Sequence, residues 1–88
     1  MLEEVKVVLR VDGTEDDLYL SSLIDSAKIE INTSTGIEVD ESNNFHKNVV
    51  NLLVMKYYDT EMAGKLDPII DRMLVQLQYQ VNVQEVTQ

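Results

Sequence analysis

The sequence predicts an all-α protein, a compact bundle of about four helices with a long central third helix and an extended C-terminal arm. Three observations predict it. Gly13, Gly36 and Gly64 fall between periodic segments, and the lone proline, Pro68, follows the last of them. Helices tend to end at Gly and restart at Pro, so the chain divides into four. Within each division the apolar residues recur at helical spacing, and a sustained period of two appears only after Tyr79.

The first helix is short. Leu2, Val5, Val8 and Leu9 share a face, and Glu3 and Glu4 suit the positive end of a helix dipole. The second opens at Thr14 with Asp17 three residues on, a capping box with Asp in place of Glu. Leu20, Leu23, Ile24, Ala27 and Ile31 then form an unbroken stripe that stops at Gly36. Ile37 and Val39 alternate with Glu38 and Asp40, which fits one short extended stretch. The third helix is expected from about Ser42 or Asn43 to Met62. Its apolar residues cover most of the circumference, so it is buried on several sides. That makes it either the central helix or a helix shared with a neighbouring subunit. Asp67 caps the fourth helix with Pro68 at its first position, and Ile70, Met73, Leu74 and Leu77 face inwards.

After Tyr79 the alternation of Tyr79, Val81 and Val83 with Gln80, Asn82 and Gln84 reads as extended chain. Residues 1–79 are therefore taken as the helical domain and residues 80–88 as an arm or a disordered tail. A lone strand has no partner inside a helical domain. It is either a terminus without structure or an arm that pairs with another chain.

A chain of 88 residues makes one small domain. Such a domain buries only about 60% of its unfolded surface and has a thin margin of stability. With no cysteine it has neither a disulfide nor a thiolate zinc site to add to that margin. Association with other subunits is the remaining source. Seven Lys and Arg stand against sixteen Asp and Glu, a formal charge of −9, and the cations are scattered singly. Binding to duplex DNA or to an anionic membrane needs clustered cations, so neither is expected. Glu3 and Glu4 interrupt the start where a signal peptide would carry its basic region. The longest apolar stretch, Val49 to Tyr58, is too short to span a bilayer.

No set of residues supports catalysis. His46 is the only histidine, with no nucleophile-elbow glycines near it, and it reads as structural. The acids Asp12, Glu15, Asp16 and Asp17 lack the glycine and glutamate positions of a calcium loop, so they read as a helix N-terminus. Glu38, Asp40 and Glu41 read as a solvated loop. The glycines lie too far apart for a phosphate loop. A recognition helix would need cations flanking its base-reading residues, whereas the third helix turns apolar after Asn51. The expectation is no enzyme activity, no metal and no cofactor.

Leu2-Glu3-Glu4-Val5-Lys6, Leu9-Arg10-Val11-Asp12, Asp16-Asp17, Leu23-Ile24, Ala27, Ile31 and Thr35-Gly36 together resemble the opening of small phage and prophage head–tail connector, or adaptor, proteins. Leu52-Leu53-Val54-Met55-Lys56-Tyr57-Tyr58-Asp59 and Pro68-Ile69-Ile70 through Leu74, Gln76, Leu77 and Tyr79 are similar to the later helices of that family. The chain departs from it at Asp59-Thr60-Glu61, where the family often has Asn-Arg-Glu. An interface built on that arginine is not carried over.

The resemblance implies a structural adaptor of the virion head–tail junction, made in the host bacterial cytoplasm. It implies a homo-oligomeric, dodecameric ring beneath the portal protein that extends the DNA channel, and a head-completion or tail protein as the next partner. DNA passes through without specific binding. Aromatics and Met are enriched at interfaces, so Tyr57, Tyr58 and Met62 are the expected contact residues of the third helix. Tyr79, Val81 and Val83 are those of the arm. The same aromatics would serve equally as core. Asp16, Asp17, Glu38 and Asp40 are the candidate acidic patch, on the channel or the surface. A second reading is a small acidic regulatory protein that inhibits a partner as a DNA mimic.

Overall fold

The computed structural model describes the backbone of residues 1–87 and the side chains of residues 1–79. It is all-α: α1 (Leu2–Leu9), α2 (Asp17–Thr35), α3 (Asn44–Tyr58), a single 3-10 turn (Thr60–Met62) and α4 (Ala63–Thr87). No strand occurs among the described residues. None of the described helices is long and apolar enough to cross a membrane.

The first helix ends because Arg10 turns left-handed, with φ 59° and ψ 41°. Its N–H bonds Val7 O at 3.2 Å, and the N–H of Val11 reaches back to Lys6 O at 2.9 Å. This pair of bonds is a Schellman closure, usually made on glycine. The start of α2 differs from expectation. Thr14 does not cap it; the Thr14 carbonyl instead accepts from Asp17 N at 3.2 Å, and the helix begins at Asp17. The reason is tertiary. Lys6 reaches over from α1, its ammonium 2.9 Å from Asp17 Oδ1, and also donates to Gly13 O. The carboxylate of Asp17 is thus engaged by α1 and not by the backbone of Thr14.

The stop at Gly36 matches its sequence signal. Gly36 has φ 76° and its N–H bonds Asn32 O at 2.7 Å. Thr35 Oγ1 donates to Ile31 O at 2.6 Å and accepts from Ile37 N at 3.1 Å, turning the chain out of the helix. Ile37 and Val39 pack against the core while Glu38 and Asp40 are exposed, so the alternation is present without a strand. Asn43 caps α3, its Oδ1 accepting from Phe45 N at 2.8 Å and His46 N at 3.2 Å.

The third helix is central but not long, with 15 residues against 19 in α2 and 25 in α4. It ends at Tyr58, short of the expected Met62. Asp59 leaves helical geometry, and its side chain accepts from Glu61 N at 3.1 Å to start the 3-10 turn. An Asp at such a position competes with helix continuation by capping the next turn. That turn runs straight into α4, so Gly64 is no break and Pro68 lies inside the helix. Pro68 removes one bond, to the carbonyl four residues back, in a part of the helix close to its start. Asp67, expected as a cap, lies 2.7 Å from Lys56 Nζ on α3. The C-terminal end differs too. The backbone remains helical to Thr87, across the expected boundary at residue 79, with no extended arm. A helix satisfies its own N–H and C=O groups, whereas a strand there has no partner in the chain.

The core is one cluster on α3. Val49, Val50, Leu53 and Val54 meet Ile24, Ala27 and Ile31 of α2, Val5 of α1, and Leu66, Ile70 and Leu77 of α4. Helix α3 touches every other element, and α1 and α4 show no contact among the described residues. Full burial of one such aliphatic side chain is worth about 1.5–3 kcal/mol. Lys47–Glu4 at 3.0 Å and Lys28–Glu41 at 2.9 Å add electrostatic ties between elements.

Candidate subunit interface

The expected contact residues of α3 separate into three environments. Tyr57 is half-buried against the core, and its hydroxyl donates to Glu30 Oε2 on α2 at 2.6 Å. Burial, and then the bond to Glu30, push its phenol above the ordinary value. Tyr58, the next residue, points outwards at 37% exposure and packs against Tyr19 of α2, ring centroids 6.3 Å apart and tilted by 40°. Met62 packs partly on the core and also lines a surface groove of about 450 Å³.

That groove runs between α1 and the end of α3. Val8, Leu9, Met55, Tyr58 and Met62 give it apolar walls, and Asp59, Thr60 and Glu61 form the rest of its lining. Lys47, Asn51, Met55 and Tyr58 recur at i, i+4, i+8 and i+11, so one face of α3 carries them all. Helix α1 lies along this face, as the Lys47–Glu4 pair shows. Beneath it the Asn51 Oδ1 atom is buried with no hydrogen-bond partner.

Tyr79 stands elsewhere, on α4, at 67% exposure. Val75 is four residues before it, and both point away from the buried face marked by Ile70 and Leu77. The side chains of Val81 and Val83 lie outside the described residues. The groove on α1 and α3 and the exposed apolar face of α4 are therefore distinct surfaces.

The four candidate acids do not form one patch. Asp16 occupies the N-cap of α2 without a side-chain cap bond, and Asp17 pairs with Lys6. Glu38 and Asp40 lie beyond the other end of the same 19-residue helix, which is roughly 28 Å long. Asp40 is a turn residue: its Oδ1 accepts from Ser42 Oγ at 2.6 Å and Ser42 N at 2.9 Å. Those bonds, the hydroxyl first, hold its carboxyl below the ordinary range. His46 anchors the same turn, Nδ1 accepting from Asp40 N at 2.9 Å. Among the described residues no group of three or more His, Cys, Asp or Glu converges as a metal site would require.

The sequence pattern does not single out several apolar residues that the fold leaves exposed. Leu18, at 90% exposure, and Tyr19, Val7 and Ile29 all project into solvent. Their signal is position: Leu18, Tyr19 and Ile29 lie off the Leu20–Ile24–Ala27–Ile31 stripe that fills the core.

A family model described as Phage gp6-like head-tail connector protein matches residues 1–82. No curated protein and no solved structure matches the chain.

Proposed function

The chain belongs to the phage gp6-like head-tail connector proteins, a structural family of the head–tail junction, and on that premise we propose that it is an adaptor beneath the portal. In this reading copies of the chain form a closed, dodecameric ring that docks on the portal protein and prolongs the DNA channel. A head-completion or tail protein binds its far side. The observation that carries the reading is the family match over residues 1–82, on a chain with apolar side chains left exposed on several helices.

The mechanism is mechanical. Adjacent copies pack through different faces, and the repeated rotation closes the ring. The acidic excess supplies a wall from which phosphates are repelled, so DNA slides through the channel without adhering. Glu38, exposed beyond the end of α2, is available for that role, whereas Asp17 and Asp40 already hold local structure.

Light scattering of the pure protein, alone and with portal-bearing capsids, tests the reading. The expected result is stable association with the portal vertex in many copies. Failure to bind capsids that carry the portal but lack the tail would overturn it.

A further inference from the structure

The solvent face of α4 differs from the rest of this acidic surface. Lys65, Arg72 and Tyr79 recur at intervals of seven and so line up along the helix, with Ile69 and Val75 flanking them. All five are exposed. Lys65 and Arg72 make no salt bridge among the described residues, whereas Lys6, Lys28, Lys47 and Lys56 each do. Of the nearby acids of the helix, Asp67 pairs with Lys56 on α3, and Asp71 sits at the margin of the stripe. The stripe itself, Lys65, Ile69, Arg72, Val75 and Tyr79, is apolar and cationic.

The groove between α1 and α3 has the opposite character. Its walls, Val8, Tyr58 and Met62 among them, are apolar, and the exposed carboxylates of Asp59 and Glu61 edge it. The groove's Glu61 and Met62 lead straight into α4, so Lys65 lies one turn from its edge, whereas Arg72, Val75 and Tyr79 lie about two to four turns further along the helix. A helix does not fold back on its own start, so those three residues can reach a groove only in another copy.

We propose that the outer face of α4 in one copy seats in the α1–α3 groove of the next, with Arg72 facing Asp59 and Glu61, and Val75 and Tyr79 against Val8, Tyr58 and Met62. The proposal rests on the ring reading above and adds which two surfaces form each joint. Contact between unlike faces leaves one groove and one stripe free at every stage, so growth continues until the ends meet. Apolar contact gives the joint its area, and the charge pairing sets its polarity and register.

The absence of native cysteine gives a clean test. Thr60→Cys and Tyr79→Cys chains, both altered at exposed positions, are mixed in equal amounts and oxidised mildly. This is done with the pure protein at high concentration and on portal-bearing capsids. Head-to-tail contact predicts cross-links between the two variants well beyond their statistical share, with few links within either. A statistical mixture, or a preference for like pairs, overturns the proposal. Separately, Arg72→Glu is expected to weaken assembly several-fold, and the Arg72→Glu, Glu61→Arg double variant to recover it. Portal association with no response to any of these changes refutes this joint and leaves the adaptor reading standing. A wild-type chain that never gathers on portal-bearing capsids defeats both.

Discussion

The hydroxyl of Tyr57 on α3 donates to the Glu30 carboxylate on α2 across a span of 27 residues in sequence, at 2.6 Å. The bond makes Tyr57 a tie between helices, although its neighbour Tyr58 faces solvent. Tyr57→Phe keeps the ring and removes only the tie. A hydrogen bond to a charged group contributes about 1.5–3 kcal/mol when buried, and partial exposure reduces this to about 1 kcal/mol. Urea unfolding of the Phe variant measures the difference. An unchanged midpoint would show that the bond contributes nothing.

Asn51 makes the opposite case. Its Oδ1 is buried beneath α1 with no partner, and such an atom costs about 1–3 kcal/mol in lost hydration. Asn51→Leu has similar size and no polar atoms to satisfy. It should raise stability by about 1 kcal/mol, seen as a higher thermal midpoint. A lower midpoint would mean that a water serves the amide.

Arg10 holds a left-handed conformation at φ 59° with a side chain attached. Glycine takes that geometry without steric cost, and the penalty for other residues is about 1–2 kcal/mol. Arg10→Gly should stabilise by about 0.5–1 kcal/mol, because glycine's greater freedom when unfolded offsets part of the gain. Gly36→Ala tests the same physics in reverse. A Cβ there meets nothing within 4 Å, so its expected cost of about 1 kcal/mol is wholly conformational. Equilibrium unfolding of both variants should shift in opposite directions.

Stability against pH should show a plateau with two edges. Glu4, Asp40 and Glu41 are held below their ordinary values of 4.5, 3.8 and 4.5, chiefly by Lys47, by Ser42 and by Lys28. Their contribution is complete above those ordinary values and is lost as pH falls through the depressed folded ones. Lys6 and Lys56 are held above 10.5, chiefly by Asp17 and Asp67. Their contribution is complete below 10.5 and disappears as pH rises through the raised values. Tyr57 adds to the alkaline edge with the same sign. Denaturation midpoints measured from acid to alkali should be flat between about pH 5 and pH 10. A steep change within that window would contradict the assignment.

The legible parts of the fold are those decided within one helix. Leu20, Ile24, Ala27 and Ile31 fill the core as their spacing predicts, Gly36 stops α2, and Asn43 caps α3. The rest is settled by groups distant in sequence or by competing local signals. Lys6 arrives from α1 and takes Asp17, which moves the start of α2. Asp59 interrupts an apolar run by capping a turn that no periodicity marks. Pro68 reads as a helix start, yet the turn before it has already launched α4. At the C-terminus, alternating valines suggest a strand, but the lack of any pairing edge leaves helix as the self-sufficient choice. Of the candidate site, composition alone points to the outward aromatics Tyr58 and Tyr79. The groove is not legible, because Val8 meets Tyr58 and Met62 only once α1 is laid across α3.

Lys6, Lys28, Lys47 and Lys56 each direct their ammonium group at a carboxylate of their own chain. The molecule keeps a formal charge of −9 all the same, so copies repel one another at a distance. That repulsion reaches about 8 Å at physiological salt and farther in dilute buffer. Short-range apolar contact between copies has to overcome it.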